Sequence, residues 1–86
     1  IPVSHRPFEM VAMDITGRFP TSTEGFEYLL VIQEYLTKWV ITVPLVGISA
    51  HEVARALVKH LITKFGTPKR ILTDRGSNFM SKVMGE

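Results

Sequence analysis

The apolar positions of this chain fall into three period-two or continuous runs, one helical stripe and a short closing run. The first run, "VAMDITG", holds Val11, Ala12, Met13 and Ile15 and predicts a strand from about Glu9 to Thr16, buried on both faces. One acid, Asp14, stands in its middle. A buried carboxylate without a partner is costly, so Asp14 calls for an explanation. "GRFPTSTEGFE" contains Gly17, Pro20, Ser22 and Gly25 and reads as a loop. "YLLVIQEY", Tyr28 to Tyr35, is a second strand, and its continuous Leu29–Ile32 run again implies burial on both faces. "LTKW" turns the chain into a third strand, Trp39 to Leu45, with Trp39 read as core. Pro44 has no N–H for a ladder, so this strand belongs at a sheet edge.

The helical stripe is the clearest element. Val53, Ala54, Leu57, Val58, Leu61, Ile62 and Phe65 recur at three- and four-residue steps and predict an amphipathic helix from about Ala50 to Phe65. Ser49 with Glu52 reads as a capping box. Gly66 stands where a left-handed C-cap is wanted, and Pro68 blocks continuation. Arg55, Lys59 and Lys64 fall off the stripe. "KRILTD" is then a short strand ending at Asp74, followed by a turn at Gly76 and a helix from near Ser77. Short connections make the first three strands antiparallel neighbours, and the strand after the helix returns parallel by a right-handed crossover. The predicted fold is α/β, β-β-β-α-β, with a mixed sheet in the order 3-2-1-4 and strand one central.

Composition narrows the classes. At 86 residues and 45% apolar the chain matches one small globular domain or part of a larger one, not a disordered segment. No apolar run is long enough to span a bilayer. "IPVSHRPFEM" has no signal-type stretch and reads as the cut edge of a domain, with residues 1–8 a lead-in. The absence of Cys excludes disulfides and thiolate metal sites and favours an intracellular protein. His5, His51 and His60 lack metal-ligand spacing, and Met10, Met13, Met80 and Met84 read as gap-fillers. The net charge is only +2, yet residues 50–75 hold six basic side chains against two acidic ones. Such a basic half fits either a solvated helix face or an anionic partner such as nucleic acid.

The topology offers Asp14 a companion. If strands one and four are parallel neighbours, Asp14 and Asp74 emerge at the same C-terminal edge of the sheet, where open α/β sheets place their sites. Two adjacent carboxylates repel unless a proton or cation lies between them, and hard oxygen ligands suit Mg²⁺ or Mn²⁺. Other readings stay open on spacing alone. Asp74 in "TDRG" can be a turn residue, and Asp14 can pair with Arg18 or cap the following loop.

The motifs "MDITG", "YLLVI", "TKW", "GTP" after the helix and "TDRGSNF" together resemble the catalytic core of retroviral and retrotransposon integrases, gypsy-type elements and derived host genes in particular. The resemblance runs from about Pro7 to the end. It implies a ribonuclease-H-like fold and a metal-dependent polynucleotidyl transferase acting in DNA integration, with Asp14 and Asp74 as catalytic, metal-holding aspartates. It also implies DNA as partner, contacts to phosphate from Arg55, Lys59, Lys64 and Arg75, a homo-oligomer in the intact parent, no membrane, and a nuclear location. The third acid of the family triad lies several dozen residues past the second, so Glu86 is too close to fill it. On this reading the 86 residues are an N-terminal portion of a core and are inactive alone. The alternative is a domesticated host module that keeps the fold for nucleic-acid binding or protein interaction. Relatives usually carry Gly-Pro at Gly17-Arg18, and many carry Asp at Glu34.

Overall fold

The computed structural model describes residues 6–75 and 77–85, leaving aside the side chains of residues 77 and 78. Residues 1–5 of the expected lead-in, with His5, the turn expected at Gly76, and Glu86 lie outside the described residues. Four strands, β1 (Met10–Gly17), β2 (Tyr28–Glu34), β3 (Val40–Leu45) and β4 (Arg70–Leu72), form one sheet in the order β3-β2-β1-β4. β1 pairs antiparallel with β2 and parallel with β4, and β2 pairs antiparallel with β3. This is the predicted order, with β1 central and Pro44 on an edge strand.

Between β3 and β4 runs a continuous helical segment. It comprises α1 (Ala50–Leu57), a π-helical stretch Val58–Ile62, and a last turn α2 (Thr63–Phe65). A final helix, α3 (Ser77–Gly85), packs against α1. The Ser49 hydroxyl accepts from the Glu52 N–H at 3.2 Å, as the capping box requires. The returning contact differs: the Glu52 carboxylate takes the Gly47 N–H at 2.9 Å, two residues before the cap. Gly66 has φ +88° but ψ 171°, so it ends the helix in an extended left-hand-side conformation, not the left-handed helical cap expected.

The core lies on one face of the sheet. Val11, Met13 and Ile15 of β1, Leu30 and Ile32 of β2, and Val43 and Leu45 of β3 form one cluster with Val53, Ala54, Ala56, Leu57, Leu61 and Val83. Side chains alternate across a strand, so Ala12, Asp14 and Thr16 project from the opposite face. There Ala12, Leu29, Val31 and Gln33 are half-buried and Asp14, Thr16, Val40 and Thr42 exposed. The expectation that the first two strands are buried on both faces is therefore corrected. The described helices cover one face only, and an apolar run in the sequence cannot tell a covered face from an open one. Trp39 is likewise not core: it precedes β3 and is 62% exposed. Met84 is exposed too, whereas Met10 and Met13 do fill the interior.

Candidate metal centre and cationic surface

Asp14 sits in the regular part of β1 and is exposed, not buried as its apolar neighbours implied. The acid costs little there because the face it projects from is open. β4 is shorter than expected and ends at Leu72, so Asp74 lies two residues past the strand, in a bend, also exposed. The parallel ladder pairs Met10 with Arg70, Val11 with Ile71 and Ala12 with Leu72. Asp14 and Asp74 each follow the last pair, Ala12–Leu72, by two residues. Asp14 thus lies on β1 and Asp74 in the bend that follows its parallel neighbour β4, 60 residues apart in sequence.

The competing roles for these acids are taken by other side chains. Arg18 is bound to Glu27, with Nε 2.9 Å from Oε2, and Thr21 donates to the same oxygen at 3.1 Å. Those contacts close the 18–27 loop without Asp14. The bend after β4 is held by Thr73, whose Oγ1 accepts the Arg75 N–H at 3.2 Å, not by Asp74. Among the described residues neither the Asp14 nor the Asp74 carboxylate makes a hydrogen bond or ion pair. Exposed, unengaged carboxylates are of the donor type a hard divalent cation takes, since such an ion keeps several waters and binds one or two protein carboxylates. No group of three or more His, Asp or Glu converges among the described residues.

The basic residues divide between two places. Arg75 comes to the acid pair: its Nη2 lies 3.5 Å from the Ile15 carbonyl oxygen, next to Asp14 in β1. Arg55, Lys59 and Lys64 are exposed on the helical segment, which covers the other face of the sheet. Arg55 and Lys59 line a groove of about 580 Å³ between α1 and the β3 edge, with Phe26, Pro44, Val46 and Val58. The helix cations and the aspartates therefore do not form one continuous pocket. His60 is half-buried, and that burial, with Lys59 and Lys64 nearby, lowers its pKa.

Glu34, noted in the sequence only as a departure from relatives, carries structural weight. Glu34 is fully buried at the end of β2. Its carboxylate accepts the Leu36 N–H at 2.9 Å, the Thr37 N–H at 2.6 Å and the Thr37 hydroxyl at 2.7 Å. Burial works to raise its pKa, but these donors and a backbone donor from Phe8 outweigh it and hold the carboxyl down to about 2. The available signal was an acid closing an apolar strand immediately before a polar turn.

Comparison with known proteins places these features in a family. The integrase core domain family matches residues 4–86. The gypsy retrotransposon integrase-like protein 1 of Mus musculus is 29% identical over 83 residues, which is 96% of this chain and 16% of that protein. The Pol polyprotein of Drosophila melanogaster transposon 412 is 32% identical over 77 residues, covering 90% of this chain and 6% of the polyprotein. The Schizosaccharomyces pombe transposon Tf2-3 polyprotein is 36% identical over 84 residues, again 96% of this chain and 6% of the relative. Thus the chain spans a small part of the proteins it matches. Among solved structures, a chain of the simian T-cell lymphotropic virus intasome, in complex with PP2A regulatory subunit B56 gamma, superposes with a TM-score of 0.71. That match has 20% identity and covers 96% of this chain and 33% of the other. Together with the mixed sheet and its crossover helix, this likeness marks the fold as ribonuclease-H-like, and the chain belongs to the integrase core domain family.

Proposed function

We propose that this chain is the N-terminal portion of a DNA integrase core, and that Asp14 and Asp74 hold a divalent cation, Mg²⁺ or Mn²⁺, used in phosphoryl transfer. The observation that carries this reading is the parallel β1–β4 pairing, which stops two residues short of both Asp14 and Asp74, each of them exposed. When bound, such a cation supplies Lewis-acid charge to the phosphoryl group and its attacking and leaving oxygens. Asp14 contributes a carboxylate from a rigid central strand, and Asp74 one from the bend beyond β4. Arg75, beside them, and Arg55, Lys59 and Lys64, on the helical side, are the groups offered to DNA phosphates. The intact parent would be a nuclear, DNA-bound oligomer.

The 86-residue chain by itself should bind the cation weakly and catalyse nothing. A two-metal reaction needs a nearly complete, fixed ligand set, and two carboxylates leave most positions to water. Mn²⁺ titration of the isotopically labelled chain, followed by paramagnetic line broadening, is the test. Broadening should centre on the amides near Asp14 and Asp74 and disappear in Asp14→Asn/Asp74→Asn. Uniform broadening, or a centre at the histidines, would remove the shared site. Metal-dependent DNA strand transfer by this chain alone would show that two acids suffice.

A further inference from the structure

Beyond Ala12, β1 loses its neighbour on one side. The β1–β2 ladder continues to Gly17, but the β1–β4 ladder stops at the Ala12–Leu72 pair. In an antiparallel pair, residues alternate between exchanging both backbone bonds with the partner strand and turning those groups to the other side. Carbonyls of β1 that turn toward β4 past Ala12 therefore have no strand to meet, and such groups need another donor or water.

Arg75 supplies that donor at Ile15. Its Nη2 lies 3.5 Å from the Ile15 oxygen, and the separation of 60 residues is the offset that relates every β1–β4 pair. The side chain continues the register that the backbone has abandoned. Arg75 is also tethered on its own side. Its N–H donates to Thr73 Oγ1 at 3.2 Å, and its guanidinium carbon lies 6.0 Å from the centre of the Phe79 ring of α3. Asp74 is thus flanked by two linked residues, Thr73 and Arg75, and Arg75 in turn holds the residue after Asp14.

We infer that Arg75 is a positioning residue, a clasp from the Asp74 bend to the Ile15 carbonyl of β1 that holds the two aspartates in place where the ladder has ended. The inference rests on the metal reading above and deepens it. It also carries a sign that separates it from simple electrostatics. A cation near a cation site repels the metal, so an arginine that acted through its charge alone would weaken binding, and its removal would tighten it. A clasp does the reverse, because losing it disorders the ligands.

The test uses the 86-residue chain, Mn²⁺ as probe, and the variants Arg75→Ala and Arg75→Lys. In Arg75→Ala the Mn²⁺ concentration that broadens the amides around Asp14 and Asp74 should rise about 10-fold, the usual scale for groups that orient metal ligands. Arg75→Lys keeps a donor able to reach the carbonyl and should recover most of that loss. Unchanged or tighter binding in Arg75→Ala would overturn the clasp. A metal-free readout stands beside it: amide exchange at Ile71 and Leu72 should quicken in Arg75→Ala while the Val31 and Ile32 amides of the β1–β2 ladder stay as they were. If the unmodified chain shows no local broadening, the metal reading fails, and exchange alone decides: quickening confined to β4 supports the clasp, and unchanged exchange overturns it.

Discussion

Glu34 uses every polar atom it owns. Its N–H donates to the Trp39 carbonyl at 2.8 Å, its carbonyl accepts the Lys38 N–H at 3.0 Å, and both carboxylate oxygens take donors from residues 36 and 37. The β2–β3 turn, with Lys38 at φ +67°, is assembled around this one buried acid. A buried carboxylate is tolerated when several donors point at it, and the hydrogen bonds here favour the ionised form. Because the folded pKa lies near 2, below that of an unfolded glutamate, the stabilisation is present in full above about pH 4.5. It fades as pH falls from there through 2, and amounts to roughly 3 kcal/mol. Glu34→Gln should therefore lower stability at pH 7 by about 2–3 kcal/mol and flatten the acid limb between pH 4.5 and 2. Urea unfolding at a series of pH values checks both, and an acid limb of unchanged steepness would refute the assignment. Gly17 is constrained differently: at φ +132°, an added Cβ would fall 2.7 Å from the Glu27 carbonyl oxygen, so only glycine fits the start of the loop.

At the level of elements, the helical segment shows how a stripe read from sequence is rotated by its surroundings. Val53, Ala54, Leu57 and Leu61 are buried as expected, but Val58 and Phe65 are exposed and Ala56 is buried instead. Two neighbours account for the turn of the face. α3 packs on α1 and brings Val83 into the cluster that holds Ala56, whereas Val58 overhangs the groove beside β3, beyond which no strand lies among the described residues. The π-helical stretch Val58–Ile62 also departs from the 3.6-residue period, so residues after it no longer follow the projected stripe. Phe65 finds a separate partner in Phe8, stacked with ring centroids 3.9 Å apart, which ties the helix end to the chain entering β1. Leu57 and Leu61, at 2% and 0% exposure, remain the anchors of the face. Each changed to Ala should cost about 2–5 kcal/mol, a large share of the stability of a domain this small. Thermal melts of both variants give the measurement, and unchanged midpoints would mean that the helix is docked otherwise.

The described residues form a two-layer arrangement, with the proposed metal site on the open side. Helices and core occupy one face of the sheet, and Asp14 projects from the other. The cations of the helical segment thus lie on the face opposite Asp14, so the proposed DNA association and the proposed metal binding should be separable. Arg55, Lys59 and Lys64 should contribute about −3 to the log–log salt slope of weak DNA binding if each neutralises one phosphate. Fluorescence anisotropy with a labelled duplex should show the slope fall to about −1, the share left to Arg75, in Arg55→Gln/Lys59→Gln/Lys64→Gln. The same variant should leave Mn²⁺ broadening at Asp14 and Asp74 unchanged. A slope unaltered by the triple change would move the DNA contact elsewhere. No helix among the described residues is long and apolar enough to cross a membrane.

What the sequence by itself determined follows from local chemistry. Apolar period, capping residues and breakers act within a few positions, so the element order, the Ser49 cap and the edge placement of β3 by Pro44 were legible. The strand order 3-2-1-4 followed from loop lengths and the handedness of the crossover. The two aspartates were singled out by the motifs around them. Tertiary structure alone decided which face of the sheet is covered, and with it that Asp14 is exposed, that Trp39 lies outside the core and that the helical stripe turns toward Ala56. Burial is a property of what packs across from a residue, and that partner is distant in sequence. The same holds for the parallel pairing of β1 with β4 and for the reach of Arg75 to Ile15. These depend on a parallel register 60 residues long in offset, which no local pattern encodes and only the paired backbones set.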